Sequence, residues 1–98
     1  MRAKKVDAHH AAIRQHLRSV GWRVFDTSAV GRGFPDLLVA RRGFMALVEV
    51  KVGNARLNQL QKEFRLTWPG VNIQANSPED AELQLDLAEK YQYLRERH

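Results

Sequence analysis

Apolar positions along this chain switch between a helical and an extended period. Over residues 6–20, Ile13, Leu17 and Val20 recur at i, i+4 and i+7, the spacing of one buried helix face. Gly21 follows where a helix C-terminus favours glycine. "WRVFDTS" (22–28) sets Trp22, Val24 and Asp26 on one side of a short strand, and its β-branched and aromatic residues support that reading. "AVGRGFP" (29–35) is a loop punctuated by two glycines and a proline. "PDLLVA" (35–40) and "FMALVEVKV" (44–52) flank a short turn, which predicts an antiparallel hairpin turning near Arg42-Gly43. Both faces are apolar near the turn, so these strands are expected to be covered on both sides and central in the sheet.

"NARLNQLQKEFRLTW" (54–68) reads as a second helix with Leu57, Leu60, Gln61, Phe64 and Trp68 as its inward stripe, ended by Pro69-Gly70. "VNIQA" (71–75) alternates like a half-buried strand. "SPED" (77–80) is a helix start, with Ser77 as N-cap, Pro78 in the first helical position and Glu79 and Asp80 in the first turn. That last helix runs to about Leu94, with Leu83, Leu87, Tyr91 and Leu94 on one face. The element order is αβββαβα, an α/β chain with a mixed four-stranded sheet flanked by helices.

Composition changes this picture in three ways. The 98 residues hold no internal repeat or linker, so one domain over 1–98 is expected. No apolar run approaches the roughly 18 residues of a membrane span, and no apolar stretch follows the basic start as in a secretory signal. With zero Cys, disulfides and thiolate metal sites are excluded, and a reducing compartment is compatible. The formal net charge of +5 on so small a chain points towards a polyanionic partner.

The charges inside the hairpin are its chemical feature. Counting outward from Arg42-Gly43, Asp36 falls opposite Glu49, with Cβ atoms about 5 Å apart. Lys51 lies two places beyond Glu49 and points the same way. A slip of one residue would split the cluster. Two carboxylates that close require a proton, a cation or a metal between them. A hard divalent ion such as Mg²⁺ suits them, and a lysine alongside fits metal-assisted phosphoryl hydrolysis. The alternative is a structural ion-pair set at a strand end.

At these residues a family resemblance emerges. "GFPDLLVA" followed by "LVEVKV" resembles the PD-(D/E)XK nuclease signature, with Pro35-Asp36 as the PD and Glu49-Val50-Lys51 as the ExK. Over roughly residues 6–76 the chain is similar to the compact VRR-NUC type of phages and prophages. A helix and a Gly come first, then a loop ending in G-x-PDL, the E-x-K strand, and a helix in which Leu57 and Gln61 fill family positions. The resemblance implies a restriction-endonuclease-like core and a metal-dependent DNA endonuclease using Mg²⁺ or Mn²⁺, without an organic cofactor. Asp36, Glu49 and the backbone carbonyl of Val50 would ligate the metal. Lys51 would position the attacking water, and Gln61 would assist it. Relatives carry a Glu on the first helix; here that place falls near His10, with Asp7 one turn earlier, so either residue would substitute or no acid acts there. One-metal and two-metal operation both stay open. A zinc site from His9, His10 and His16 is not expected, because neighbouring helix residues diverge.

For DNA contact, Arg32 lies in the glycine loop and Ser28 resembles a hydroxyl residue that relatives carry near the scissile phosphate. Lys4, Lys5, Arg14 and Lys62 would extend a basic track, whereas Arg41 and Arg42 are expected to be solvated at the turn. Phosphate contacts of this kind carry no sequence information, so recognition by DNA shape is expected. Small viral members resemble Holliday-junction resolvases that work as homodimers, implying branched DNA as substrate and a second copy as partner, in the cytoplasm of a bacterium or phage-infected cell. The apolar face of the last helix is a candidate dimer surface, or else part of the core. A non-catalytic DNA-binding module on the same scaffold is the alternative function, and a basic protein-interaction domain a third.

Overall fold

The computed structural model describes residues 4–97, with side chains described from residue 7 onward. The Lys4 and Lys5 side chains therefore lie outside the described residues. The order is α1 (Lys4–Ser19), β1 (Arg23–Asp26), β2 (Leu37–Arg41), β3 (Phe44–Val50), α2 (Gln59–Thr67), β4 (Asn72–Ala75) and α3 (Pro78–Glu96), the αβββαβα sequence expected from the apolar periods. The strands lie in the order β1-β2-β3-β4. The first two pairings are antiparallel and β3 runs parallel to β4, so the sheet is mixed and β2 and β3 are central.

The hairpin turns where the sequence placed it. Arg42 and Gly43 both have positive φ, 50° and 80°, as a two-residue loop with the native strand twist requires. The strand period of two then separates two faces. Phe44, Ala46, Val48 and Val50 of β3 join Leu37 and Val39 of β2 on one face, against Ile13 and Leu17 of α1 and Ala81 and Leu85 of α3. That is the main core. Each of the larger side chains there contributes about 1.5–3 kcal/mol by burial.

The other sheet face is covered only in part, which corrects the expectation of cover on both sides near the turn. Met45 there is 61% exposed. Leu47 and Glu49, further from the turn, are buried. The start of α2 and the loop at 33–35 lie beside Glu49 there; α2 is nine residues long, contains no buried residue of its own, and starts at Gln59 rather than Asn54. Asn58 caps the helix and leaves residues 54–57 outside it. Of the expected inward stripe, Leu57, Gln61 and Phe64 are half-buried, while Leu60 and Trp68 are exposed.

Ser77 caps α3 by accepting from the Asp80 N–H, with Pro78 opening the first turn, as its sequence specifies. Its core side is made of Ala81, Leu85 and the half-buried Ala88. The larger residues Leu83, Leu87, Tyr91 and Leu94 occupy the outer face and are 60%, 59%, 64% and 49% exposed. Arg41 departs from a solvated turn residue. It donates to the Val20 carbonyl at 2.8 Å, pairs with Glu89 at 2.7 Å and Asp86 at 3.0 Å, and lies over the Trp22 ring at 4.2 Å. Arg42 also pairs with Glu89. Both arginines tie the turn to α3. Among the described residues, no helix is long and apolar enough to cross a membrane.

Candidate active site

The site lies at the end of the hairpin far from its turn. Leu37 pairs with Val48; continuing that register sets Asp36 opposite Glu49 and Pro35 opposite Val50. Lys51 N–H bonds the Ala75 carbonyl on the β4 side at 2.8 Å. Val50, one residue earlier, therefore directs its N–H and C=O towards β2. Its N–H donates to Asp36 Oδ2 at 2.8 Å. The strand pairing stops at Leu37, and the proline just before Asp36 has no N–H to extend the ladder towards β3. The Asp36 side chain accepts the Val50 N–H in place of a ladder carbonyl. The Pro35 carbonyl is turned to Thr27, whose hydroxyl donates to it at 2.8 Å, and the Thr27 N–H donates to the Asp36 carbonyl at 2.7 Å.

Glu49 is 6% exposed. Its Oε2 accepts from Gln61 Nε2 at 2.8 Å and lies 3.7 Å from Lys51 Nζ. Burial above all, and then the Asp36 carboxylate, push the Glu49 carboxyl up to about 7; Lys51 opposes that shift. Lys51 Nζ donates to Gln61 Oε1 at 3.0 Å and to the Arg56 carbonyl at 3.3 Å. The four residues Asp36, Glu49, Lys51 and Gln61 are gathered as the sequence pattern required.

Gln61 has a second task that the sequence pattern did not bring out. It is the N3 residue of α2, and its Oε1 accepts from the Asn58 N–H while Asn58 Oδ1 accepts from the Gln61 N–H. This is a reciprocal capping box. Asn58-x-x-Gln61 carries that signature in plain sequence. The loop before Asp36 is pressed onto the same helix start: a Cβ on Gly33 (φ +83°) would collide with the Leu60 carbonyl, 2.6 Å from its carbon.

On α1, His10 Nε2 lies 4.0 Å from Asp36 Oδ2. Asp7 is exposed. Of the two first-helix candidates, the histidine is the one beside the carboxylates. His9, given no role from sequence, bonds the Lys51 carbonyl through Nε2 at 3.1 Å; no sequence signal marked it. His16 is elsewhere, paired with Glu82 of α3 at 2.6 Å. Among the described residues, no three His, Asp or Glu side chains are gathered closely enough to hold a metal by themselves. The side chains gathered are two carboxylates and one imidazole, 4.0 Å from the Asp36 carboxylate, and carboxylate oxygens suit a hard divalent ion.

The candidate DNA contacts are more scattered. Ser28 is exposed, and both its N–H and hydroxyl are engaged by Asp26, at 2.9 and 2.6 Å. Those bonds hold the Asp26 carboxyl below its usual range. Arg14 pairs with Asp26 at 3.4 Å. Arg32 is exposed with φ 57°, and Lys62 is exposed next to Gln61 in the chain. A narrow crevice runs from Glu49 past Gln61 to Phe64 and Arg65. The larger hollow, about 540 Å³, lies between the hairpin turn and the C-terminal half of α3 and includes none of the four clustered residues.

No protein-family model, curated protein or solved structure matches this chain.

Proposed function

We propose that this protein is a Mg²⁺- or Mn²⁺-dependent DNA endonuclease of PD-(D/E)XK type, VRR-NUC-like, that hydrolyses phosphodiester bonds in branched or otherwise structured DNA such as a Holliday junction. The observation that carries the reading is the buried Glu49 carboxylate beside Asp36, contacted by Lys51 and Gln61. A buried glutamate pushed up to about 7, by burial first and then by the neighbouring Asp36 carboxylate, is a site that gains from a cation. A purely structural ion pair would not need Gln61 to bridge both the acid and the lysine.

Asp36, Glu49 and the Val50 carbonyl would hold the metal, with His10 as a fourth donor. When bound, the ion offsets phosphodiester charge and makes water a better nucleophile at neutral pH. The chain's own groups do the positioning. Gln61 fixes Lys51 Nζ at 3.0 Å and the Glu49 carboxylate at 2.8 Å, so neither side chain must reorganise when substrate arrives. Lys51 orients the attacking water and balances charge on the phosphate. Arg32 and Lys62 are exposed on either side of this cluster in sequence and supply phosphate contacts, with Ser28 at the end of β1. The net charge of +5 supports a nucleic-acid partner. The working compartment is the cytoplasm of a bacterium or phage-infected cell.

A homodimer is part of the proposal. The outer stripe of α3 is apolar opposite its core side, and a helix apolar on two faces is one covered on two faces. A four-way junction has two-fold symmetry, which a two-fold dimer matches. The second reading is a non-catalytic DNA-binding module, favoured by His10 standing where an acid was expected. Cleavage of labelled linear, flap and four-way DNA with Mg²⁺, Mn²⁺ or Ca²⁺ separates the two. Binding without cutting under every metal would remove the enzyme; cutting that survives both Asp36→Asn and Lys51→Ala would remove the site.

A further inference from the structure

Beside the crevice at Glu49 stands a row of aromatic rings that the hydrolytic cluster does not use. Phe34, from the glycine loop, meets Phe64 edge-on with centroids 5.3 Å apart. Phe64 is stacked on Trp68, with centroids 5.1 Å apart and planes 17° from parallel. Gln61, Phe64, Arg65 and Trp68 share one face of α2 and its C-cap, since they recur at helical spacing. Phe64 and Arg65 line the same crevice as Glu49 and Gln61.

These rings are not a closed core. No residue of α2 is buried, and Trp68 is 39% exposed. Phe64 lies against one face of the indole and Gly70 near its nitrogen edge, and the side chain still keeps substantial exposure. The surrounding charge is cationic: Arg56, Lys62 and Arg65 stand against Glu63 alone between residues 56 and 68. An exposed aromatic stack rimmed by cations is the arrangement that holds unpaired bases, through stacking and phosphate attraction together.

Resting on the nuclease reading above, we infer that Phe64 and Trp68 form a stacking platform for unpaired nucleotides, so that the preferred DNA carries a single-stranded segment next to the cut. Trp68 lies seven residues beyond Gln61, about 10 Å along a helix, or about three nucleotides along a stacked strand. A continuous duplex keeps its bases stacked on each other and offers the platform nothing. A flap, a fork or an opened junction offers one or more free faces. Arg65 lines the crevice beside Phe64 and would contact the phosphate of a strand held there.

The two tryptophans make a direct test. Trp22 is 2% exposed and reports the core, so DNA-dependent change in emission comes from Trp68. Wild-type protein, kept metal-free with EDTA to prevent cutting, is titrated with oligo-dT, a blunt duplex and a forked duplex, and binding is followed in parallel by anisotropy of labelled DNA. The expected result is strong quenching with oligo-dT and the fork, saturating with the anisotropy signal, and little with the blunt duplex. Trp68→Ala should weaken oligo-dT and fork binding about tenfold, leave blunt-duplex binding unchanged and keep Trp22 emission native. Trp68→Phe should restore most of the difference. Binding of oligo-dT or the fork without quenching, or with equal affinity in Trp68→Ala, overturns the platform and leaves the nuclease reading intact. Absence of binding to every DNA overturns both. A Trp68 emission shift that follows protein concentration without DNA would assign this surface to a second copy and also overturn the platform.

Discussion

The Gln61 amide nitrogen donates to Glu49 Oε2 at 2.8 Å while the oxygen of the same amide accepts from Lys51 Nζ at 3.0 Å and from the Asn58 N–H at 2.8 Å. One side chain therefore caps α2 and aligns the acid and the base of the cluster. Removing it has two separable effects. Gln61→Ala should lose about 1 kcal/mol of stability in urea unfolding, the worth of a cap, and about 10–100-fold in cleavage rate, as for groups that orient ligands. Gln61→Glu keeps an acceptor for Asn58 and Lys51 but replaces the donor to Glu49 with a carboxylate. It should keep most of the cap and still lose cleavage. Full activity in Gln61→Glu would remove the bridging role.

The Glu49 carboxyl sets the pH dependence of the metal-free protein. Its value rises from 4.5 to about 7 on folding, mainly through burial. Between those values the folded state holds a proton that the unfolded state has released. Stability therefore falls as pH rises from about 4.5 to about 7, by at most about 1.4 kcal/mol per pH unit for one such group, and stays low above 7. Urea midpoints at about pH 5 and about pH 8 should differ in that sense, and Glu49→Gln should flatten the difference. A midpoint that is higher at about pH 8 in wild type would contradict the assignment.

On the proposed metal-site reading, His10 beside Asp36 should set which metal is preferred. Imidazole nitrogen suits later transition ions better than Mg²⁺, whereas carboxylates and carbonyls suit both Mg²⁺ and Mn²⁺. Calorimetric titration should show tighter Mn²⁺ than Mg²⁺ binding. His10→Ala should weaken Mn²⁺ about 10–100-fold and Mg²⁺ less, and His10→Glu should recover Mg²⁺. Equal affinities in wild type and His10→Ala would take the histidine out of the site.

Gly33 and Gly31 offer a matched pair in one loop. Both have positive φ, but only Gly33 faces backbone, where an added methyl would meet the Leu60 carbonyl; at Gly31 it would meet nothing within 4 Å. Gly31→Ala should cost only its conformational penalty, about 1 kcal/mol, and keep activity. Gly33→Ala should cost about 1–3 kcal/mol and displace the loop from α2, lowering cleavage as well.

The outer face of α3 predicts the oligomeric state. In an antiparallel pairing of two copies, Leu83 would lie near Leu94 and Leu87 near Tyr91, with the acidic first turn of one helix towards the Arg95 end of the other. Light scattering should give a dimer. Leu87→Asp with Tyr91→Asp should give a monomer whose own thermal stability is little changed, because both positions are exposed in the single chain.

Much of the fold and the core of the site are legible in the chain itself. The αβββαβα order follows from apolar periods and from Gly, Pro and cap residues, which act within a few residues of chain. The opposition of Asp36 and Glu49 follows from one turn and the period of two. What the sequence could not decide depends on contacts between distant segments. Arg41 reads as a turn residue and is a clamp on α3, because Trp22, Val20 and Glu89 reach it only in three dimensions. The outer stripe of α3 reads equally as core or as a surface for a second copy, because spacing identifies a face without saying what lies against it. His10 reads as a candidate and His9 as a helix-start residue without a role; only the docking of α1 onto the sheet end sends His9 to the Lys51 carbonyl and His10 to Asp36. Local geometry is encoded locally, whereas the partner of a side chain is set by packing, and the site's composition depends on both.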